Sequence, residues 1–444
     1  MLRGQFRNPI TSVQIADLAE AIGERAFALR TGEDLTPLLD WIGDAQFVLL
    51  GEASHGTSEY YTWRARLSQR LIQEKGFSFI AVEGDWPDCY ALNRYSKHYP
   101  DSGQDAYSVL HRFSRWPTWM WANWEVVALA EWLHRHNRGR APTQQVGFYG
   151  LDVYSLHESL AAVLDYVEKN RPEALDAARQ AARCFEPFGE DLQSYAWSTA
   201  MVPESCEDDV LGLLMELRQK SYPYAADPEA EFNAEQNAWV MVGAERYYRT
   251  MLRGDAASWN IRDTHMADTL DRLIDYHGPH AKAILWEHNT HIGDARATDM
   301  AQAQMVNVGQ LVRERHAEQG VFLVGLGSHH GSVIAGDYWG APMQRMPVPR
   351  ARAGSWEDLL HRAGEGNKLL RMDDLRPLDG AMAPLGHRAI GVVYHPGREA
   401  GNYVPSVLPD RYDAFLYFGE TQALHPLHIE PQSQKPPETY PWGV

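Results

Sequence analysis

The stretch QFVLLGEASHGTSEYYTWR (46–64) ends a short apolar run on a carboxylate, a hydroxyl and an imidazole, namely Glu52, Ser54 and His55. A second group follows another apolar run, where WEHNTHI (286–292) carries Glu287, His288 and His291. An imidazole whose other nitrogen is held by a carboxylate is suited to pull a proton from water, and the carboxylate stabilises the cation that results. Attack of that water on a carbonyl then needs positive charge or hydrogen-bond donors at the developing oxyanion, which a second histidine or an arginine supplies. Three more apolar runs end in the same way. Glu83 and Asp85 follow FSFIAV, Gly150 and Asp152 follow VGFY, and Ser328, His329 and His330 follow FLVGL.

Other chemistries lack their signatures. There is no G-x-S-x-G elbow, no H-E-x-x-H zinc helix, no P-loop and no G-x-G-x-x-G after a strand. A metal-dependent hydrolase remains an alternative, with His55, His288, Glu52 and Glu83 as ligands around an open water position. A protein that binds an apolar or haem-like ligand without turning it over is a third reading, suggested by the Trp-rich stretch RWPTWMWANWEV (115–126). Each residue also has a structural reading as a helix cap, salt-bridge partner or packed histidine. What weakens that reading is the repeated placement of such groups after five apolar runs.

The runs themselves read as strands. Phe47–Leu50, Phe79–Val82, Val146–Tyr149, Ala283–Trp286, Phe322–Gly325, Ile390–Tyr394 and Ala414–Phe418 are apolar without alternation, as strands covered on both faces should be. Helical patterns lie between them, from Glu59 to Lys75 before Gly76, from Val126 to Arg138 before Gly139, and after Ser355 with its Ser-x-x-Asp start. This order predicts an α/β fold, a largely parallel central sheet flanked by helices. Ligands of such sheets bind beyond the carboxyl ends of the strands, where the polar groups fall. From Ser155 to His277 the sequence is mostly helical in period, and reads as an insertion that forms a lid, a cleft wall or a packing layer. The expected organisation is a first core segment (1–152), a helical insertion (153–280), a second core segment (281–430) and a Pro-rich tail (431–444).

Composition bounds the partners. The 444 residues carry a net charge of −18, which argues against nucleic acid and anionic membrane surfaces. No apolar run approaches the roughly 20 residues that span a bilayer, and the first residues lack a signal-peptide pattern, so a cytoplasmic protein is expected. Cys89, Cys184 and Cys206 are odd in number and widely spaced, and read as free thiols in a reducing compartment.

GEASHG (51–56), Arg64, VEGDW (82–86), GLD (150–152), NIRDTHMADTL (260–270) and WEHNTHI (286–292) together resemble the erythromycin esterase family, over nearly the whole chain from Val48 to TQALHPL. The resemblance implies an α/β core with a helical insertion, and ester hydrolysis by water with neither a covalent Ser intermediate nor a cofactor. Position by position, it implies His55 as general base with Glu52 and Glu83 as the acidic residues around it. Arg64, His288 and His291 match further catalytic positions, and Arg262 and Asp263 match the motif at the end of the insertion. Asp152, Trp121 and His330 join Arg262 and Asp263 as expected substrate-binding residues. The expected partner is a small-molecule ester or lactone, with macrolides the best-known substrates of the family.

Overall fold

Four consecutive apolar residues, Phe47–Leu50, have no polar side to turn to solvent, and all four are buried. Covering each such side chain contributes about 1.5–3 kcal/mol, which is why the run sits at the middle of a sheet rather than at its edge. In the computed structural model, which describes residues 10–188, 192–201, 205–218, 227–251 and 255–428, the strands in chain order are β1 (Phe27–Ala28), β2 (Phe47–Leu50), β3 (Phe79–Val82), β4 (Gly147–Gly150), β5 (Ala283–Trp286), β6 (Val321–Ala335), β7 (Gln344–Val348), β8 (Lys368–Arg371), β9 (Leu385–Arg388), β10 (Tyr403–Ser406) and β11 (Ala414–Thr421). The expected tail, 431–444, lies outside the described residues.

The chain forms two compact units. The first contains residues 10–78, Ser114–Leu129 and residues 280–428. Its strands run in the order β1-β8-β11-β6-β2-β5, with β7 on β6. The centre is parallel: Leu49 of β2 stands opposite Leu323 of β6 on one side and Leu285 of β5 on the other, and β11 runs parallel to β6. The β8, β1 and β7 pairings are antiparallel, and β9 and β10 form a separate antiparallel pair. The helix Ser58–Lys75 follows β2 and ends at Gly76, whose φ of 70° is the left-handed conformation that closes many helices. Ser355 caps the helix Trp356–Arg362 by accepting from the Asp358 N–H.

The second unit contains Phe79–Phe113 and Ala130–Pro279. In it β3 and β4 pair in parallel, Val82 opposite Gly150. Six helices then follow: Leu156–Asn170, Leu175–Phe185, Leu192–Met201, Glu207–Arg218, Ala230–Thr250 and Asp255–His277. They share one core in which Val163, Ala178, Leu213, Ala238, Met241 and Tyr248 are fully buried. At Gly243 a Cβ would lie 2.3 Å from the His265 Nδ1, so the last two helices approach more closely than any side chain would permit. The molecule is therefore of the α/β class predicted from the apolar runs, mostly parallel in its sheet, with a helical insertion. Among the described residues no helix is long and apolar enough to cross a membrane.

Three expectations need correction. The strand expected at Phe322–Gly325 runs ten residues further, to Ala335, so His329 and His330 belong to β6 and not to a loop. Ile390–Tyr394 is not a strand. Its residues make isolated bridges to two different segments, Ser54–Ile390 and Gly336–Val393, because its backbone is clasped between them. The cysteines are not all free: Cys184 and Cys206 form a disulfide across 22 positions, and only Cys89 is a buried free thiol.

Candidate active site

The chain leaves β2 through Gly51, where a Cβ would lie 2.0 Å from the Asn289 Oδ1. Only glycine permits that approach, and it brings the Glu52 carbonyl to the Asn289 N–H at 2.8 Å. Gly56 is equally confined, with the Ile334 carbonyl 1.9 Å from where its Cβ would stand. Between these glycines Glu52 and His55 are held almost out of solvent, at 1% and 7% exposure.

Two donors converge on the Glu52 carboxylate. His55 Nδ1 lies 2.9 Å from Oε1, and Arg64 Nη2 donates to Oε2 at 2.6 Å. Arg64 reaches Glu52 from the second turn of the helix Ser58–Lys75 and is itself 1% exposed. Its guanidinium lies over the rings of Tyr61 (4.5 Å) and Trp286 (4.7 Å), so aromatic faces cover the part of the cation, Nε and Nη1, that meets no acceptor. A buried carboxylate costs several kcal/mol unless it is paired and hydrogen-bonded, and Arg64 meets both conditions for Glu52. Because Glu52 only accepts, His55 carries its proton on Nδ1 when neutral, and Nε2 is its basic nitrogen.

His288 closes the group. Its ring centre is 4.9 Å from that of His55, with the planes inclined by 41°. His288 precedes the short turn Asn289–Ile292 and caps it: the Thr290 N–H donates to Nδ1 at 3.3 Å, and the Thr290 hydroxyl lies 2.8 Å from the same atom. An Nδ1 that accepts leaves the proton on Nε2, the tautomer opposite to that of His55. His291 lies on the same turn, 2% exposed, its N–H bonded to the His288 carbonyl at 2.9 Å. Tyr61 donates to the His55 carbonyl at 3.2 Å and packs on Trp121 at 6.0 Å. Trp121 and Trp119 are buried at 7% and 1%, whereas Trp124 is half exposed. Trp121 thus braces the group through Tyr61. His330 lies apart from it, with His329 Nδ1 at 3.1 Å and Glu420 at 4.0 Å.

The second unit carries its own buried cluster. Arg262, on the helix Asp255–His277, donates through Nε and Nη2 to the two oxygens of Asp152 at 2.9 and 2.7 Å, and through Nη2 to Glu83 at 2.7 Å. Glu83 directly follows β3, and Asp152 lies two residues beyond β4. Burial pushes the Asp152 carboxyl up, but the Arg262 charge outweighs it and holds the group below its ordinary value. Arg262 also lies 4.8 Å from the Tyr154 ring centre. Asp263 beside it is fully buried. Among the described residues no group of three or more His, Cys, Asp or Glu is arranged to hold a metal ion.

Glu52, His55, Arg64, His288 and His291 are therefore gathered in the first unit, and Glu83, Asp152, Arg262 and Asp263 in the second. Asn289 and Tyr61 support the first group and were not singled out in the sequence. Asn289 stands between two histidines already marked, which was the available signal.

A family model described as Erythromycin esterase matches residues 72–421. The chain belongs to the erythromycin esterase family. "Putative hydrolase YbfO" of Bacillus subtilis (strain 168) is 22% identical over 360 residues, which is 75% of each chain. Among solved structures, a succinoglycan biosynthesis protein superposes with a TM-score of 0.74 at 23% identity, over 94% of this chain and 99% of that one. A mutant of the erythromycin esterase EreC in its open conformation gives 0.61 at 17% identity, over 91% and 99%. At such identities the structural likeness establishes the fold alone, and the chemistry has to be argued from the residues.

Proposed function

We propose that this erythromycin esterase family member is a hydrolase that cleaves a carboxylic ester or lactone with an activated water. His55 Nε2 takes the proton as the water oxygen attacks the carbonyl carbon. Glu52, bonded to Nδ1, stabilises the imidazolium that forms, and Arg64 holds Glu52 in place through its other oxygen. When the tetrahedral intermediate collapses, the bond to the leaving oxygen breaks, the His55 imidazolium returns its proton to that oxygen, and His288 Nε2–H steadies the oxyanion by donating a hydrogen bond to it. The products are a carboxylic acid and an alcohol, or a hydroxy acid from a lactone. Proton transfers of this kind contribute about 10²–10⁴-fold each.

The observation that carries the reading is a pair of imidazole rings with centres 4.9 Å apart, the His55 Nδ1 on the Glu52 carboxylate and the His288 Nδ1 on the Thr290 N–H. Those contacts set one ring to take a proton at Nε2 and the other to donate a hydrogen bond from Nε2. Between Glu52 and Glu83, the geometry favours Glu52 as the residue that orients the base, since Glu83 spends an oxygen on Arg262. The substrate we propose first is a macrolactone, by analogy with the family. Mass spectrometry of erythromycin incubated with the wild type and with His55→Ala tests this. Gain of one water with the wild type only is expected. A His55→Ala protein that hydrolyses at the wild-type rate would end the assignment of the base, and an unchanged macrolide would redirect the substrate search to other esters and lactones.

A further inference from the structure

Behind the first group lies a second imidazole–carboxylate pair that the proposed reaction does not use. His387, on β9, and Glu357, on the helix Trp356–Arg362, are both fully buried. His387 Nδ1 lies 2.6 Å from Glu357 Oε1, which also accepts the Arg388 N–H at 2.8 Å. The other ring nitrogen, Nε2, faces the Asn289 amide nitrogen at 3.4 Å and the Tyr412 hydroxyl at 3.3 Å. Gly325 and Gly327 of β6 make the room. A Cβ on Gly327 would stand 2.8 Å from Phe415 and 3.6 Å from the His387 ring, and one on Gly325 would strike Phe415 and Tyr412.

The directions of these bonds follow from the donors. A carboxylate takes the Nδ1 proton, so neutral His387 offers a lone pair at Nε2, and that lone pair accepts from Asn289 Nδ2. Burial holds His387 below its ordinary pKa, with Glu357 opposing, which favours the neutral ring. The same Asn289 amide nitrogen donates to the Leu326 carbonyl at 2.7 Å, and its Oδ1 packs against Gly51. The amide therefore has one orientation only. Its main chain joins the two halves of the candidate site, because the Asn289 N–H holds the Glu52 carbonyl and the preceding residue is His288. Arg411 fixes the Asn289 carbonyl at 2.9 Å.

We propose that the buried Glu357–His387 pair is a positioning device for the Glu52–His55–His288 group, acting through the Asn289 side chain; this rests on the reading of His55 as the base. Neither Glu357 nor His387 touches substrate. Together they hold Asn289 in the orientation that sets the main chain of Glu52 against that of His288.

The test uses the full chain with His387→Gln, which is close in volume but has no second ring nitrogen to bridge Glu357 and Asn289, together with Asn289→Ala and the double variant. Two measurements are made on each. One is steady-state ester or lactone hydrolysis. The other is the ¹⁵N NMR titration of the His55 ring, which needs no turnover. His387→Gln should lower kcat about 10-fold or more, the usual cost of losing an outer partner of a catalytic group. KM should stay within about two-fold, because no substrate contact is lost. The His55 titration should move down as Glu52 slips from Nδ1, because the imidazolium loses the carboxylate beside it. The double variant should match Asn289→Ala alone in both measurements, since a residue that acts through another adds nothing once that other is gone. An unchanged His55 titration in His387→Gln, or effects that simply add in the double variant, would overturn the inference even if thermal stability fell. If the wild type hydrolyses none of the esters, the proposed function fails, while the NMR arm still decides the coupling. Should His387→Gln not fold, the isosteric Asn289→Asp, which removes the donor to His387, is expected to give the same kcat loss and titration shift.

Discussion

Glu52→Gln is a near-isosteric change with an outcome fixed by counting donors. Two N–H groups point at the carboxylate, from His55 at 2.9 Å and Arg64 at 2.6 Å. Glutamine offers one oxygen and one NH₂ in their place. Arg64 cannot give up a proton, so the oxygen must turn to it and the NH₂ must face His55 Nδ1. His55 can then meet that NH₂ only as an acceptor, with its own proton on Nε2. The ring remains in place, but its basic nitrogen faces away from the reacting water. Holding a catalytic histidine in the wrong tautomer lowers kcat by roughly 10⁴-fold in a comparable imidazole–carboxylate system, and we expect about 10³–10⁴-fold here. The stability cost is separate. Breaking a buried ion pair costs about 3–5 kcal/mol. The retained oxygen and the rings of Tyr61 and Trp286 offset part of it, leaving a loss of about 2–4 kcal/mol. Hydrolysis followed by mass spectrometry gives the rate, ¹⁵N NMR of the His55 ring gives the tautomer, and urea unfolding gives the stability. A Glu52→Gln protein within ten-fold of the wild-type kcat, with the His55 proton still on Nδ1, would refute the donor argument.

Two further outcomes follow from the second unit. Arg262→Leu leaves Asp152 and Glu83 buried without their shared cation, and should destabilise the protein by about 3–5 kcal/mol in urea unfolding; a loss below about 1 kcal/mol would show that water takes the place of the arginine. His265 is fully buried, stacked on Trp239, and without a hydrogen-bond partner at either ring nitrogen, and burial pushes it from 6.5 down to about 4. The folded chain keeps this ring neutral while the unfolded chain protonates it below 6.5. Its contribution is therefore intact above pH 6.5 and is lost as the pH falls towards 4, by about 3 kcal/mol in all. His265→Gln should flatten the dependence of the urea midpoint on pH across that window, and an unaltered slope would assign the acid sensitivity to other groups.

β2 and β5 of the first unit, and β3 and β4 of the second, were legible because they are short, fully buried apolar runs that end on polar residues. What escaped the sequence has physical reasons. The Gly-rich part of β6 looks like a loop by composition, yet its glycines serve to admit Phe415, Tyr412 and the His387 ring. Ile390–Tyr394 has the composition of a strand but is held by two separate partners, a tertiary matter that no local pattern encodes. In the candidate site, Glu52, His55 and His288 could be marked because charged groups cluster after the strands, whereas Arg64, on the helix Ser58–Lys75, was marked only by the family resemblance. Glu357 and His387 could not, since they lie 30 residues apart within ordinary helix and strand patterns and become a pair only when both are buried. The disulfide was missed because spacing alone does not bring two cysteines within reach, whereas the packing of the helices does.

The central position of β2 also sets a schedule for synthesis. One of its neighbours, β5, begins 233 residues after β2 ends, and the other, β6, later still. At roughly 5–20 residues per second, the ribosome needs about ten to fifty seconds to deliver the first of them. Until then Phe47–Leu50 has neither flanking strand, and the GEASHG segment after it has no Asn289 to lie against. Most of the intervening chain belongs to the second unit, which can complete its own helical core in that time. The nascent chain therefore carries an unpaired apolar strand past a unit that has already folded, and this waiting segment is where a chaperone would have the most to protect.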